Sequence, residues 1–174
     1  GGLVGIVGDS RTSEAQVNIT NSHFEGKIEA KYSTYTYIGG IIGSQDYYKS
    51  DSTTTISNCF NRGDIDGTVN GGDGATYTNV CAGGIIGLTN NATIRNTYNT
   101  GSIKAKTNAG GIAGSYGGNS STSNALKIIN SYNIGYVNGN TYSGGIIGVA
   151  NQNKVSVENS YYLDNISQST YGTR

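Results

Sequence analysis

The stretch GGIIG at residues 83–87, followed by IRNTYNTGSI at residues 94–103, decides the fold. Each segment carries a few apolar residues bounded by glycine or asparagine, so each is long enough for short strands only. A strand of this length cannot bury its isoleucine side chains by itself. The segments therefore predict a fold in which many similar units pack on one another.

The first segment recurs along the whole chain as two glycines, two apolar or alanine residues, and a third glycine. The copies start at residues 1, 39, 83, 110 and 144, so their starts are separated by 38, 44, 27 and 34 residues. An internal repeat with a period of about 20 to 50 residues is typical of solenoids, propellers and other arrays.

The second segment follows each copy of the first and reads Ile-x-Asn-small-aromatic-Asn-x-Gly-x-Ile in its fullest form. Full copies lie at residues 56–65, 94–103 and 128–137, a degenerate copy spans residues 19–28, and a last copy without the glycine begins at residue 157. The first asparagine of the motif is present in all five copies, at Asn21, Asn58, Asn96, Asn130 and Asn159.

Stacking these units in register places isoleucine on isoleucine, asparagine on asparagine and glycine on glycine, with the strands about 4.8 Å apart. The sequence therefore predicts an all-β fold, a right-handed parallel β-helix of about five coils with three short strands each. Residues 1–174 form one β-helical domain in this interpretation. Because the chain begins within a repeat, we expect it to be a segment of a longer protein. Polar insertions are predicted at about residues 9–15, 29–36, 44–54, 68–79 and 115–125.

The repeated positions predict the columns of this helix. Leu3, Ile41, Ile85, Ile112 and Ile146 are expected in one interior column, and Ile19, Ile56, Ile94, Ile128 and Val157 in another. Neighbouring apolar pairs point to opposite faces of a strand, so one of each pair needs cover from a loop or corner.

The polar repeats predict the corners. The five asparagines are expected to face inward at a corner as a ladder of stacked amides. The glycines Gly26, Gly63, Gly101 and Gly135 are expected to supply the positive φ that a sharp corner needs.

Composition narrows the classes of partner. The chain has 11 basic and 11 acidic residues, so its formal net charge is zero and no field attracts nucleic acid or an anionic membrane surface. No apolar stretch approaches the ~18 residues that would span a bilayer. We therefore expect neither nucleic-acid binding nor membrane insertion.

The two cysteines, Cys59 and Cys81, are too few for a disulfide framework. The repeats place Ser22, Thr97, Ser131 and Ser160 at the position of Cys59, and Tyr37, Asn108 and Tyr142 at that of Cys81. Each cysteine is therefore replaceable, and both a bridge and two free thiols stay open at this point.

The combination of GGIIG at residues 39–43 with ISNCFNRG at residues 56–63, repeated along nearly the whole chain, resembles the GLUG repeat. That family occurs in large bacterial surface proteins, adhesin-like proteins and the N-terminal regions of IgA-specific metallopeptidases. The resemblance implies a secreted or wall-attached bacterial protein with a stalk, display or adhesive role. It does not extend to protease activity, because the His-Glu-x-x-His zinc motif needs two histidines and the chain has only His23.

Catalysis and metal binding have weak support in the sequence. Parallel β-helices include polysaccharide lyases and hydrolases, but their sites cluster acidic or basic residues, which are scattered here. His23 falls where the other copies carry an aromatic residue, so we interpret it as a packing substitute. Asp64, Asp66 and Asp73, the last in NGGDG at residues 70–74, are a weak calcium candidate, and no other cofactor is expected.

Tyrosine gives the main binding hypothesis. The chain has 14 tyrosines and no tryptophan, and Tyr35, Tyr37, Tyr47 and Tyr48 cluster around one pair of insertions. Exposed tyrosines offer a flat amphipathic surface for a sugar or a protein, although they also serve simply to cover a solenoid. The sequence thus predicts a non-catalytic extracellular module that acts as a stalk or presents a ligand-binding surface. Alternatives are a fragment of a carbohydrate-active enzyme and a solenoid that self-associates end to end.

Overall fold

The fold comes from a computed structural model that describes residues 1–8, 16–32, 34–45, 52–70, 79–118, 125–150 and 154–164. These residues contain strands and no helix. The first coil holds β1 (Val4–Val7), β2 (Gln16–Thr20), β3 (His23–Phe24) and β4 (Lys27–Tyr32). The second holds β5 (Tyr35–Gly39), β6 (Ile42–Gln45), β7 (Thr53–Ser57), β8 (Phe60–Asn61) and β9 (Asp64–Asn70).

The third coil holds β10 (Asn79–Gly83), β11 (Ile86–Thr89), β12 (Ala92–Arg95), β13 (Tyr98–Asn99) and β14 (Ile103–Ala105). The fourth holds β15 (Asn108–Gly110), β16 (Ala113–Tyr116), β17 (Leu126–Ile129), β18 (Tyr132–Asn133) and β19 (Val137–Gly139). The fifth holds β20 (Tyr142–Gly144), β21 (Ile147–Ala150), β22 (Val155–Glu158) and β23 (Tyr161–Tyr162).

Every described strand pairs in parallel with its equivalent one coil away, which confirms the predicted parallel β-helix. The coils make five sheets: β1-β6-β11-β16-β21, β2-β7-β12-β17-β22, β3-β8-β13-β18-β23, β4-β9-β14-β19 and β5-β10-β15-β20. We call them sheets 1 to 5 in that order. A complete coil therefore has five strands and not the three predicted, because the chain bends once at each double glycine and again at the repeated asparagine.

The bend at the double glycine explains how two neighbouring isoleucines are both buried. Ile41 lies in the bend and Ile42 opens β6, and neither side chain is exposed. Since the strand is interrupted between them, their side chains do not alternate between two faces. The amides of both residues donate to the carbonyl of Ile85 in the next coil, each at 3.0 Å. The bend is thus the corner that was one of the two predicted alternatives, and no covering loop is needed.

The interior contains two apolar clusters. The larger one, which we call the main core, collects the paired isoleucines after the double glycines with Ile56, Ile94 and Ile128 from sheet 2. A smaller cluster fills the space between sheets 4 and 5. The predicted interior columns are confirmed in the central coils, whereas Leu3 and Val157 are partly exposed because they belong to the first and last coils.

The repeated asparagines do not face inward as predicted. Asn21, Asn58, Asn96, Asn130 and Asn159 are exposed, and their φ angles lie between 46° and 55°. They provide the left-handed residue of the corner, a conformation that asparagine adopts more readily than most residues. Their amides still form a ladder, but it runs along the outside of the helix.

The glycine prediction is wrong at three of its four positions. Gly26 has a φ of 130°, but Gly63, Gly101 and Gly135 are not among the described residues with positive φ. Close stacking selects glycine there, because a Cβ built on Gly101 or Gly135 would collide with the carbonyl oxygen of the equivalent glycine one coil earlier.

The inward asparagines are the second ones of the motif. Asn61, Asn99 and Asn133 are fully buried, and each Nδ2 donates to the carbonyl of the glycine two residues later at 2.7 to 3.0 Å. Asn61 Nδ2 also donates to Asn99 Oδ1 at 2.6 Å, and Asn99 Nδ2 to Asn133 Oδ1 at 2.7 Å. This inner asparagine ladder satisfies backbone groups that a buried corner would otherwise leave unpaired.

We expect mutations in the two asparagine ladders to affect stability to different degrees. Asn99→Ala removes a buried amide, takes away the amide donor of the Gly101 carbonyl and interrupts the ladder between Asn61 and Asn133, so we expect the free energy of unfolding to fall by ~3 kcal/mol. Asn96→Gly removes an exposed amide and keeps a residue that tolerates positive φ, so a change within about 1 kcal/mol is expected. Urea unfolding of both variants tests this, and equal losses would contradict the assignment.

Candidate ligand-binding surface

A stack of aromatic rings runs along the outside of sheet 3. His23 and Phe60 lie 4.7 Å apart between ring centroids, Phe60 and Tyr98 4.8 Å, and Tyr98 and Tyr132 5.1 Å, with interplanar angles of 3° to 6°. Tyr161 is the strand partner of Tyr132 in the last coil. His23 thus occupies the aromatic position as the sequence predicts.

The geometry of the stack decides which part of each ring a ligand meets. Residues alternate between faces along a strand, so the burial of Asn99 turns the ring of Tyr98 outward. Within the stack each ring covers the face of its neighbour. The solvent therefore meets ring edges and tyrosine hydroxyls, whereas the electron-rich faces are largely occupied.

The outer asparagine ladder lies beside this stack. Asn58 Nδ2 donates to Asn21 Oδ1 at 3.4 Å, Asn96 Nδ2 to Asn58 Oδ1 at 3.1 Å, and Asn130 Nδ2 to Asn96 Oδ1 at 3.3 Å. Asn58, Asn96 and Asn130 each use one amide hydrogen in the ladder, and a carboxamide carries two donors in all. One further donor of each of these amides is thus left for other partners along the surface.

A third outward column is formed by the residue that lies two positions after the aromatic one in each copy. Its members are Glu25, Arg62, Thr100, Ile134 and Leu163. In the first two coils it is charged. The Arg62 guanidinium lies 4.8 Å from the Phe60 ring centroid and donates to Glu25 Oε1 at 3.1 Å and to Tyr98 Oη at 3.3 Å. We call the outer asparagines, the rings and this third column together the ladder face.

The ladder face becomes apolar toward the last coils. Tyr132 and Ile134 are 42% and 52% exposed, and Tyr161 and Leu163 are 70% and 56% exposed. Tyr161 pairs with Tyr132, and the amide of Leu163 donates to the Asn133 carbonyl beside Ile134, so the four side chains are neighbours. We call these four residues the apolar patch. Sequence reasoning missed it, although Ile134 and Leu163 stand where other copies carry Glu25, Arg62 and Thr100.

The tyrosines predicted as a binding cluster are only partly described. Tyr35 is 67% exposed at the start of β5, whereas Tyr37 is half-buried. Tyr37 pairs with Cys81, in the column that continues through Asn108 to Tyr142. Tyr47 and Tyr48 lie outside the described residues. The described chain therefore offers Tyr35 alone as a strongly exposed member of that cluster.

Two of the three aspartates predicted for calcium lie on the outer face of sheet 4. Asp64 Oδ1 accepts a hydrogen bond from the Ser102 amide at 2.9 Å, and Asp66 Oδ1 accepts from the amide and hydroxyl of Thr68 at 2.9 and 2.6 Å. Partial desolvation opposes ionisation of Asp66, but these hydrogen bonds, with the nearby Lys104 and Lys27, outweigh it and lower its pKa.

Asp73 lies outside the described residues. Within the described ranges, no group of three or more His, Cys, Asp or Glu side chains is placed to hold a metal ion. The same ranges contain no helix long and apolar enough to cross a membrane.

Both cysteines are buried and unbridged. Desolvation raises the pKa of the Cys81 thiol to about 11, and desolvation also raises the pKa of Cys59. Cys81 Sγ lies 3.2 Å from Asn79 Oδ1 and accepts a hydrogen bond from Asn108 Nδ2 at 3.3 Å. Because the thiolate is the reactive form, neither thiol is a ready nucleophile or metal ligand near neutral pH.

Neither a family model nor a curated protein matches the chain. A solved structure does match it, that of a putative immunoglobulin A1 protease from Bacteroides ovatus. The TM-score is 0.58 at 20% sequence identity, and the match covers 94% of this chain and 57% of the other. This chain thus spans somewhat more than half the length of that protein, and the likeness shows the fold. The GLUG-repeat assignment stays a prediction, with which a likeness to an IgA protease is consistent.

The raised pKa of Cys81 predicts a loss of stability at alkaline pH. Its folded pKa of about 11 exceeds the ordinary thiol value of 9.0, so the protonated thiol stabilises the folded state below pH 9, and this contribution is lost as pH rises toward 11. Between pH 8 and pH 11 we expect the wild type to lose ~2 kcal/mol more of its unfolding free energy than Cys81→Ala. Urea unfolding at pH 8, 9, 10 and 11 measures the difference. Parallel curves for the two proteins would show that Cys81 is not desolvated as described.

Proposed function

We propose that this β-helix is a non-catalytic interaction module of a secreted or cell-surface bacterial protein, and that it binds a protein partner through the ladder face. The observation that carries the proposal is the apolar patch of Tyr132, Ile134, Tyr161 and Leu163, whose exposed fractions run from 42% to 70%. Contiguous exposed apolar side chains on a soluble domain commonly mark an interaction site.

The surroundings of the patch have the organisation of a protein-binding surface. Tyrosine is enriched among the residues that dominate binding energies, and here Tyr132 and Tyr161 lie next to two aliphatic side chains. The outer amides and the ion pair of Arg62 with Glu25 form a polar border farther along the same face. A central apolar area with a polar rim is the usual arrangement of such interfaces.

Along the stacked part of the ladder face, the rings favour a protein over a sugar. Sugars that bind aromatic residues lie flat against ring faces, and the faces of Phe60 and Tyr98 are covered by their neighbours in the stack. At the apolar patch, where Tyr161 is 70% exposed, the choice of a protein is supported instead by the aliphatic side chains of Ile134 and Leu163. Ring edges carry partial positive charge and suit carbonyl oxygens or other ring faces of a protein. With a formal net charge of zero, the chain has no general attraction for a nucleic acid.

The proposed location draws on the GLUG-repeat resemblance and on the structural likeness. The similar solved structure is described as a putative immunoglobulin A1 protease, and immunoglobulin A1 is a protein that a bacterium would meet outside its own cell. We propose an extracellular position for this chain on that ground. Immunoglobulin A1 is therefore a natural first member of any panel of partner proteins.

A binding screen tests the proposed function. The purified chain is passed over an array of host extracellular proteins that includes immunoglobulin A1, and over a glycan array. We expect one or more proteins to bind, and Tyr161→Ser with Ile134→Ser to weaken that binding at least tenfold, because about 1.4 kcal/mol corresponds to a factor of ten.

The matched control is Lys127→Ser, which removes an exposed side chain from sheet 2 of the same coil as Ile134 and leaves the ladder face intact. Thermal unfolding of each variant verifies that the fold survives. The proposal fails if the array yields no protein partner, if only glycans bind, or if a reducing-sugar assay shows that the chain cleaves a polysaccharide.

A further inference from the structure

Three fully buried polar side chains occupy positions that are apolar core positions in other coils: Gln45, its strand partner Thr89, and Thr54. Gln45, at the end of β6, and Thr54, in β7, are both fully buried. Their equivalents in the first coil are Val7 and Val17, which belong to the main core or pack against it. In the fourth coil the same positions hold Tyr116 and Leu126, which are also core residues. The scaffold therefore does not require polar side chains at these positions.

The orientation of the Gln45 carboxamide is determined by its oxygen. Gln45 Oε1 accepts hydrogen bonds from Thr89 Oγ1 at 2.5 Å, from the Asn90 amide at 2.9 Å and from the Asn91 amide at 2.9 Å. The two backbone amides can only donate, so the carboxamide cannot be turned around without placing N–H against N–H. Gln45 Nε2 is consequently held inside the protein, where it has no hydrogen-bond partner among the described residues.

Thr54 supplies a second buried polar atom, because its Oγ1 has no hydrogen-bond partner among the described residues. Its backbone amide donates to the Asn91 carbonyl at 3.3 Å, while the Asn91 amide donates to Gln45 Oε1. The Gln45 side chain and the Thr54 backbone therefore both bond to the backbone of Asn91, which brings the two residues close together.

Two buried polar atoms without described partners are costly, since each forfeits its hydrogen bonds to water on folding. We propose that Gln45 Nε2 and Thr54 Oγ1 converge on and bind one internal water molecule. This water accepts a hydrogen bond from the Gln45 amide and either donates one to the Thr54 hydroxyl or accepts one from it. Buried waters occur where otherwise unsatisfied polar groups converge. A cation in place of the water is disfavoured because Gln45 presents N–H donors to the site. An anion is disfavoured because the surrounding main core contains no charged side chain that would compensate its charge.

The water site has a defined place in the architecture. Gln45 and Thr54 flank the insertion between β6 and β7, and the bonds from Gln45 to residues 89–91 connect the second coil to the third. Asn91 Nδ2 adds a bond to the Ser52 carbonyl at 2.7 Å. A bound water would join the two roots of the insertion through side chains that are otherwise separated in sequence by eight residues.

The sign of one stability change tests the proposal. Thr54→Val replaces the hydroxyl by a methyl group, as in Val17 of the first coil. If the water is bound, the variant deprives it of a partner and the Tm falls by about 2 to 4 °C. If Thr54 Oγ1 is simply unpaired, the variant removes an unsatisfied polar atom from an apolar core and the Tm rises. Thr54→Ser keeps the hydroxyl and serves as the matched control.

The bound water can also be detected directly by NMR spectroscopy, first in the wild-type protein. In the wild type we expect a rotating-frame Overhauser cross-peak between the Gln45 side-chain amide protons and a long-lived water. Thr54→Ser is expected to retain this cross-peak and Thr54→Val to weaken it. An absent cross-peak, a raised Tm for Thr54→Val, or a crystal structure with Gln45 Nε2 bonded directly to Thr54 Oγ1 would each overturn the proposal.

Discussion

Residue-for-residue pairing between successive coils is the constraint on which this structure depends. Phe60 pairs with Tyr98 and Tyr98 with Tyr132, and the strands on either side keep the same alignment. Each side chain therefore meets its own equivalent about 4.8 Å away along the axis. A column tolerates residues that attract their own kind, such as amides, rings and aliphatic groups, and disfavours repeated like charge. Only 13% of the residues are charged, as this requirement predicts.

The inner asparagine ladder shows how one column restricts another. A Cβ built on Gly84 would lie 2.6 Å from Asn99 Cγ, and one on Gly40 would lie 2.8 Å from Asn61 Cγ. The second glycine of each pair is thus needed because a ladder amide lies directly against it. In the first and last coils Phe24 and Tyr162 replace the asparagine, and their rings lie against Gly2 and Gly145 in the same way. The ladder of amides is thereby closed by an aromatic ring at each end.

The parallel β-helix and the aliphatic columns of the central coils were predictable from the sequence because the period is visible directly. The orientation of the corner residues was not, since Asn58 and Asn61 look alike within one motif and only the backbone shows which has positive φ. One signal was available: the second asparagine changes to Phe24 and Tyr162 in the outer copies, and such a polar-to-aromatic exchange suits an interior position. The apolar patch escaped prediction because it depends on which residues of different coils are exposed together.

These features connect the scaffold to its proposed task. The buried asparagines turn the neighbouring rings outward in a fixed line, and the same line carries Ile134 and Leu163 at its apolar end. Binding surfaces benefit from such rigidity, because little conformational entropy is lost when a partner docks on side chains that are already ordered. The insertions between strands vary in length from coil to coil, whereas the ladder face keeps one geometry throughout.

Removal of one whole coil tests the central claim most directly. Gly83 pairs with Gly110, so deletion of residues 84–110 joins Gly83 to Gly111 and keeps every remaining column aligned. The account predicts a shortened β-helix with a β-sheet circular dichroism spectrum and a cooperative thermal transition, as expected for a repeat protein that loses one unit. A deletion of residues 84–105 shifts the register and should abolish that transition. If the whole-coil deletion unfolds as completely as the shifted one, the coils do not stack on their equivalents and the account is wrong.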